Sequence, residues 1–232
     1  MSQPVALIVG VGDGLSASLA RKLQTEGFKP ALAARNTDKL AALAKQTGAS
    51  VHRCDASEPG DVEKLFGEID ARLSIVVYNP SARQRAPLVE LDTEQVRHSL
   101  AVTAFGAFLV GREATKRMIT QEPVEGCRGT ILFTGASAGV KGFAQSAPFA
   151  MGKFAERGLA QSMSRELHPQ GIHVAWINID GGIRSSRREE APDRPDSMLD
   201  PEAIADTYLA IAKQHRSAWS EEIAVRPWVE KF

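Results

Sequence analysis

The sequence predicts an α/β fold in which helices cover both faces of one doubly wound, mostly parallel sheet of about seven strands. Short apolar runs of strand length recur along the chain. The segments between them place apolar residues on one helical face, as Leu15, Leu19 and Leu23 do. At 232 residues the chain has the length of one α/β domain, so we expect residues 1–232 to form a single domain.

Seven strands and five helical patterns alternate along the chain. The predicted strands are Val5–Val9, Ala31–Ala34, Val51–Cys54, Ile75–Tyr78, Thr130–Phe133, His173–Ile179 and, at the sheet edge, Ile223–Val225. The helical patterns run through Leu15 to Leu23, Leu40 to Ala44, Val62 to Ile69, about Asp92 to Met118, and Phe154–Leu167. Asp92 followed by Gln95 is typical of a capping box, so we expect the fourth helix to begin there.

Charge and composition restrict the class of partner. Lys plus Arg and Asp plus Glu both number 28, which gives no basic surplus for nucleic acid or for an anionic membrane surface. The N-terminal apolar run ends at Gly10 without a basic flank, and no run approaches the ~20 apolar residues of a membrane span. Cys54 and Cys127 are far apart, as expected of reduced thiols. We therefore expect a cytoplasmic protein that binds neither nucleic acid nor membranes.

Two other site classes lack a signature in the sequence. None of the five histidines combines with Cys, Asp or Glu at metal-ligand spacing on one element, so no metal site is expected. No GxSxG elbow of a serine hydrolase occurs either.

A glycine-rich loop joins the first strand to the first helix. It contains Gly10, Gly12, Asp13 and Gly14 and leads into Leu15. Glycines permit positive φ angles and a close approach of backbone N–H groups to a phosphate, and the helix N-terminus then faces the pyrophosphate of a dinucleotide. The spacing fits GxxxGxG with serine as the last residue. An ordinary βα turn is the alternative interpretation.

The end of the second strand indicates which dinucleotide is bound. NAD enzymes usually place an acid there for the ribose 2′-hydroxyl, whereas this chain has Arg35. A guanidinium can pair with the 2′-phosphate of NADP(H) through its planar fork. We therefore expect NADP(H) in preference to NAD(H), with an ordinary surface arginine as the alternative.

Several further segments, together with the glycine loop, make the chain resemble the short-chain dehydrogenase/reductase family over nearly its whole length. The resemblance implies a Rossmann-like fold and additional cofactor contacts. Asp55 and Ala56 match the family's adenine-contacting pair, and Asn79 matches its asparagine after the fourth strand. Gly181 and Ile183 match the glycine and the last residue of its Pro-Gly-x-Val/Ile segment. The family also usually pairs through its two long helices, which implies a homodimer or homotetramer and places Phe105, Phe108 and Phe154 at the interface.

The family's catalytic set of Asn, Ser, Tyr and Lys is incomplete here. The YxxxK segment is matched by Phe149 to Lys153, the serine position by Ala136 and the asparagine position by Thr103. In the family the tyrosine exchanges a proton with the substrate oxygen, and the lysine holds the nicotinamide ribose. Phe149 has no proton to exchange, and loss of a positioned acid typically removes ~10²–10⁴ in rate.

Three residues are candidates for catalytic roles in place of the missing family residues. Lys153 is retained from the family set, so it is expected to bind the cofactor and to take part in catalysis. Ser137 is one residue out of register with the family serine and close to Thr134, while Asp180 replaces proline near the expected nicotinamide site. A partly buried carboxyl can act as an acid; the alternative interpretation is that Asp180 caps the following turn.

The substrate pocket is expected from three loops, Ser81–Leu88, Val140–Pro148 and Arg184–Ser197. Arg83 and Arg85 in the first loop suit an anionic substrate or are ordinary surface arginines. The charged segment at about 184–199 is predicted to be a lid or a solvated loop.

Taken together, the residues favour an NADP(H)-dependent oxidoreductase that acts on a small carbonyl or alcohol substrate with an atypical proton donor. Two alternatives stay open. One is a weakly active or inactive NADP(H)-binding protein, such as a redox sensor or scaffold. The other is a relative of the same fold whose pocket does not bind nicotinamide.

Overall fold

A single parallel sheet organises the chain in the computed structural model, which describes residues 3–185 and 188–229. Its strand order is β3-β2-β1-β4-β5-β6-β7. The strands are β1 (Val5–Val9), β2 (Lys29–Ala34), β3 (Ser50–Arg53), β4 (Leu73–Tyr78), β5 (Gly129–Thr134), β6 (Ile172–Ile179) and β7 (Glu222–Val225). Every neighbouring pair is parallel, which confirms the predicted Rossmann-like α/β class.

The helices fill the connections between strands. They are α1 (Leu15–Thr25), α2 (Ala41–Thr47), α3 (Pro59–Gly67), α4 (Thr93–Leu100), α5 (Gly106–Ile119), α6 (Ala147–Leu167) and α7 (Pro201–Ala212). The side chain of Asp92 accepts a hydrogen bond of 2.8 Å from the Gln95 N–H, as predicted for the start of α4. The predicted helix from Asp92 to Met118 is continuous but contains a π-helical segment, Ala101–Phe105, between α4 and α5.

Helix α6 begins earlier than its apolar pattern indicates. The predicted start was Phe154, whereas the helix begins at Ala147 with Pro148 in its first turn. Proline is favoured there because its fixed φ suits a helix and the first N–H groups have no partner within the helix. Phe149 and Lys153 therefore project from one helical face, one turn apart.

Apolar side chains cover both faces of the sheet. On one face α3, α5 and α6 contribute Phe66, Val110 and Ala160, all buried. On the other, α1 and α7 contribute Leu19 and Ile204. Because each face buries its own cluster, the sheet has helices on both sides, which is the doubly wound arrangement.

The strand order reverses between β1 and β4, and this reversal positions the site. From β1 the chain proceeds outward to β2 and β3, then returns to β4 on the other side of β1. In such sheets a crevice opens beyond the carboxyl ends of the two strands at the reversal. The glycine loop follows β1, and Asn79 follows β4.

The segment 184–199 connects β6 to α7. Single bridges join Ile183 to Leu199 and Ser185 to Arg188. Arg184 forms an ion pair with Asp200, the N-cap residue of α7. The predicted lid includes Ser186 and Arg187, which lie outside the described residues. Among the described helices, none is at once long and apolar enough to cross a bilayer.

Candidate active site

A cleft of about 700 Å³ lies at the carboxyl ends of the central strands. It contains ten of the predicted cofactor residues: Gly10, Gly12, Asp13, Gly14, Leu15, Arg35, Asp55, Ala56, Asn79 and Ile183. These residues come from loops that are far apart in sequence and meet only because their strands end at the same edge of the sheet.

The glycine loop leaves its backbone open to this cleft. Gly10 has φ +84°, a conformation that favours glycine, and a Cβ there would lie 2.7 Å from atoms of Pro80. The turn after β1 therefore requires glycine both for its backbone conformation and for the space beside Pro80. Around Gly12 and Gly14, in contrast, no atom lies within 4 Å of an added Cβ. The first turn of α1 has no side-chain cap, so the N–H groups of Leu15 and Ser16 are available to a phosphate, whereas those of Ala17 and Ser18 donate to the Gly14 carbonyl. The loop therefore fits a dinucleotide pyrophosphate.

Ser16 has a structural role that explains its presence at the third glycine position. Its hydroxyl donates to the Gly10 carbonyl at 3.1 Å and accepts from Nδ2 of Asn79 at 2.8 Å. The same amide also reaches the Gly10 carbonyl at 3.3 Å. Asn79 thus connects the ends of β1 and β4 and holds the loop in place.

The outer end of the cleft carries positive charge. Arg35 and Lys39 both line it, both are exposed, and neither forms a hydrogen bond or ion pair with another described residue. Lys39 was not anticipated from the sequence, although it lies only four residues after Arg35. Burial alone would raise the pKa of Asp55, but two hydrogen bonds from Ser57 and the charge of Arg35 hold that pKa below its ordinary value. Asp55 is therefore a fixed acceptor on the other wall.

Beyond the cleft lies an inner cavity of about 260 Å³, lined by Lys153, Phe149, Thr134 and Gly181 among others. Nζ of Lys153 donates to the Thr134 carbonyl at 2.6 Å and to Oε2 of Glu156 at 2.7 Å. The Lys153 side chain is 3% exposed and that of Glu156 is not exposed at all. The retained lysine therefore belongs to a buried ion pair.

Glu156 is the functional candidate that the sequence analysis missed. Burial raises the pKa of its carboxyl to about 7, even though Lys153 favours the charged form. Its Oε1 atom is buried without a well-formed hydrogen bond from a described residue, and the neighbouring indole N–H of Trp176 further favours the charged form. An acid three residues after Lys153 on a helix is the signal that identifies it, because i and i+3 share a face.

Thr134 and Thr103 support the cavity from two sides. The Thr134 hydroxyl accepts a hydrogen bond of 2.8 Å from the Tyr208 hydroxyl. Thr103 lies in the π-helical segment and accepts at 3.2 Å from the Ala82 N–H. A Cβ on Gly152 would lie 2.8 Å from Cβ of Thr103, so α6 approaches the π segment closely. Such segments often occur at functional sites.

An outer cavity of about 390 Å³ adjoins the inner one. Ser137 lines it and is half-buried, and its hydroxyl forms no hydrogen bond to another described residue. The guanidinium of Arg83 lies 4.1 Å from the ring centroid of Phe149, and both residues line both cavities.

Asp180 is set apart from the other predicted catalytic residues. It is buried at the end of β6, and its carboxylate lies 3.5 Å from Nη2 of Arg226. It lines none of the three cavities, whereas its neighbour Gly181 lines the inner and outer ones. Its position supports anchoring of the segment after β7, and proton donation by Asp180 stays a prediction.

Comparison with known proteins agrees with this geometry. The family model described as short chain dehydrogenase matches residues 4–194. The chain belongs to the short-chain dehydrogenase family. Sorbitol-6-phosphate 2-dehydrogenase of Escherichia coli (strain K12) is 28% identical to it over 191 residues, covering 78% of this chain and 72% of that protein.

Solved short-chain dehydrogenases have the same fold over nearly the whole length. One from Rhodopseudomonas palustris is 31% identical, with a TM-score of 0.83 and coverage of 98% of this chain and 100% of that one. A metagenomic short-chain oxidoreductase in complex with NADP is 24% identical, also with a TM-score of 0.83, and 98% of each chain is covered. This chain is therefore a member of the short-chain dehydrogenase family by sequence and by fold.

Proposed function

We propose that this protein is an NADP(H)-dependent oxidoreductase that interconverts a small carbonyl compound and the corresponding alcohol, with a proton donor other than tyrosine. The observation that carries the proposal is the cleft itself. It joins an open glycine loop, a basic end formed by Arg35 and Lys39, and an inner cavity that contains Lys153.

The preference for NADP(H) follows from charge at the end of β2. Arg35 and Lys39 offer two cations to a 2′-phosphate, and Arg35 stands where NAD enzymes usually have an acid. The structural neighbour solved with NADP supports the same cofactor class.

Lys153 is the proposed proton donor. In the reducing direction the cofactor supplies a hydride to the carbonyl carbon, and a protein group must supply a proton to the oxygen. Two of the three ammonium N–H groups are engaged by Thr134 and Glu156, which leaves the third for a substrate oxygen. Once Nζ has given up its proton, the protonated form of the Glu156 carboxyl, whose pKa is about 7, returns one across 2.7 Å, and the carboxylate left behind regains a proton from water.

Ser137 and Asp180 have supporting roles in this proposal. The hydroxyl of Ser137 is available in the outer cavity to hydrogen-bond the substrate. Asp180, paired with Arg226, holds the end of β6 beside the cavities, and its contribution is positional.

A fluorescence titration with NADPH and NADH tests the cofactor. We expect tighter binding of NADPH, and a loss of that preference in Arg35→Gln/Lys39→Gln by about 10-fold or more, since charged hydrogen bonds contribute roughly 1.5–3 kcal/mol. NADH affinity should not change. Lys45→Gln, on α2 outside the cleft, is the matched control. If neither nucleotide binds, the oxidoreductase proposal fails.

A second candidate function, an NADP(H)-binding protein with little turnover, is favoured by one feature. Phe149 has no exchangeable proton, and Arg83 covers its face. Single-turnover oxidation of bound NADPH by a panel of aldehydes and ketones separates the two. Turnover that Lys153→Met abolishes supports the enzyme, whereas tight binding without any turnover supports the sensor or scaffold.

The proposed oligomer is a homodimer or homotetramer that forms through α5 and α6. Phe105, Phe108 and Phe154 are 46%, 44% and 46% exposed, which is unusual for phenylalanines on adjacent helices. The rings of Phe105 and Phe108 are stacked, with centroids 6.1 Å apart. Light scattering should give at least twice the chain mass of 25.0 kDa, and Phe105→Glu/Phe154→Glu should give the monomer. A monomeric wild-type protein would contradict this.

A further inference from the structure

Apart from Lys153, which is paired with Glu156, the cations among the described residues that line the inner and outer cavities are arginines, and no carboxylate lines either cavity beside them. The outer cavity is lined by Arg83, Arg85 and Arg188, and two of these also line the inner cavity. Neither lining contains an Asp or Glu among the residues that the structure describes. A cavity of 390 Å³ with three guanidinium groups and no acid is suited to an anion.

Arg83 and Arg188 reach this space from two different loops. Arg83 belongs to the loop after β4 and lies on the ring of Phe149. Arg188 belongs to the segment after β6 and lies against Gly182, where an added Cβ would be 3.4 Å from Nη1. Within residues 3–185 and 188–229, neither guanidinium has a carboxylate partner.

The electrostatics of Arg83 favour binding of an anion. Loss of water against the Phe149 ring lowers the pKa of Arg83, and the nearby charge of Arg188 lowers it further. Two like charges held together are unfavourable, and an anion placed between them removes the repulsion. A bound carboxylate or phosphate would also use the planar forks of both side chains.

We propose that Arg83 and Arg188 form a clamp for an anionic group, a carboxylate or phosphate, on the substrate. The inference rests on the proposed function, because it assigns the reacting carbonyl to the inner cavity beside Lys153. Arg83, Phe149 and Arg188 line both cavities, so the anionic group and the carbonyl belong to one small molecule. Phe149 and Phe143 supply an apolar wall for the carbon skeleton between them.

Calorimetric titration of the full chain, with and without NADPH, tests the clamp. The probes are 4-carboxybenzaldehyde, its methyl ester and 4-formylphenyl phosphate, which present one aldehyde with a carboxylate, no charge or a phosphate. We expect at least one charged probe to bind about 10-fold or more tightly than the ester, and the stronger of the two identifies the anion.

Substitutions assign this preference to the two arginines. Arg83→Gln and Arg188→Gln should each weaken binding of the charged probe by roughly 10-fold, since each removes one charge-assisted hydrogen-bonding group. Binding of the ester should not change. Arg83→Lys keeps the charge but loses the fork, so an intermediate affinity is expected. Arg194→Gln, an exposed arginine of the same segment as Arg188, is the matched control and should bind as the wild type does.

The results separate the clamp from the proposed function. Equal affinity for the ester and both charged probes overturns the clamp, as does a preference that survives in both glutamine variants. NADPH binding is measured on every variant, because Arg188 also borders the large cleft. If Arg188→Gln weakens NADPH but not the charged probe, Arg188 serves the cofactor and the clamp is overturned. If NADPH does not bind at all but the arginine-dependent preference persists, the clamp stands and the oxidoreductase proposal falls.

Discussion

Nζ of Lys153 lies 2.7 Å from Oε2 of Glu156 in a pair that is almost wholly buried. Removing one partner of such a pair leaves an uncompensated charge in the interior, which typically costs about 3–5 kcal/mol. The pair therefore stabilises α6 and also takes part in the proton transfer proposed for the inner cavity. A change in either residue should alter both stability and activity.

The pH dependence of turnover tests the role of Glu156. Its pKa is raised to about 7, so in the reducing direction kcat should fall as the pH rises through about 7, when the carboxyl can no longer return a proton to Lys153. In Glu156→Gln this fall in kcat, the alkaline limb of the pH profile, should be absent. The measurement is kcat from pH 5.5 to 9 with saturating NADPH. Glu222→Gln, which removes a half-buried acid paired with Arg157, should keep the limb, and a limb that persists in Glu156→Gln refutes the assignment.

Restoring the family's hydroxyl groups should increase activity. Phe149→Tyr with Ala136→Ser adds a proton donor and a hydroxyl to the walls of the inner cavity. A positioned general acid contributes ~10²–10⁴ in rate, so kcat should rise by about 10²-fold on any carbonyl that the wild type reduces. Phe143→Tyr adds a hydroxyl to the outer cavity only and should have little effect. An unchanged kcat would mean that residue 149 is not beside the reacting oxygen.

Two glycines of the same loop should respond differently to alanine. Gly10→Ala forces a Cβ to within 2.7 Å of Pro80 at a φ of +84°, so it should destabilise the fold by ~1–3 kcal/mol. Gly12→Ala meets no atom within 4 Å and should leave the stability unchanged while weakening NADPH, because its methyl group occupies the open side of the loop. Urea unfolding and NADPH titration of both variants distinguish these effects. Equal loss of stability in the two would contradict the geometry.

His173 should make the fold sensitive to acid. Burial lowers its pKa to about 4, against the opposing effect of its hydrogen bond to the Ser220 carbonyl. Because the folded pKa lies below the unfolded value of about 6.5, its contribution to stability is complete above pH 6.5 and is lost as the pH falls through 4. The difference corresponds to about 3 kcal/mol.

Urea unfolding between pH 7 and 4 measures this contribution. The ring of His173 stacks on Trp219 at 4.8 Å, so His173→Phe keeps an aromatic ring there and should show a flatter loss of stability. The exposed His215, changed to Phe, is the control and should keep the wild-type slope. Parallel slopes in all three proteins would contradict the role of His173.

The sequence predicted those parts of the site that depend on local spacing. The glycine loop is contiguous, and Arg35 follows directly from the end of a predicted strand, so their positions in the cleft were accessible from pattern alone. Glu156 was missed because the family's catalytic set ends at Lys153, and its contact depends on a helix that begins seven residues earlier than the apolar pattern indicates. Arg188 belongs to an irregular segment whose path is determined by tertiary contacts. The pairing of Asp180 with Arg226 likewise depends on a distant part of the chain.

Thr134 makes one contact on each side of the sheet, to Lys153 of α6 through its carbonyl and to Tyr208 of α7 through its hydroxyl. A ligand that draws the ammonium away from this carbonyl changes the end of β5, and the tyrosine hydroxyl on the far side shares that change. Amide hydrogen exchange in α7 should therefore report events in the inner cavity from the opposite face of the molecule. Because coupling between two sites is reciprocal, a substitution at Tyr208 that alters exchange in α7 should also alter the affinity of the inner cavity for its ligand.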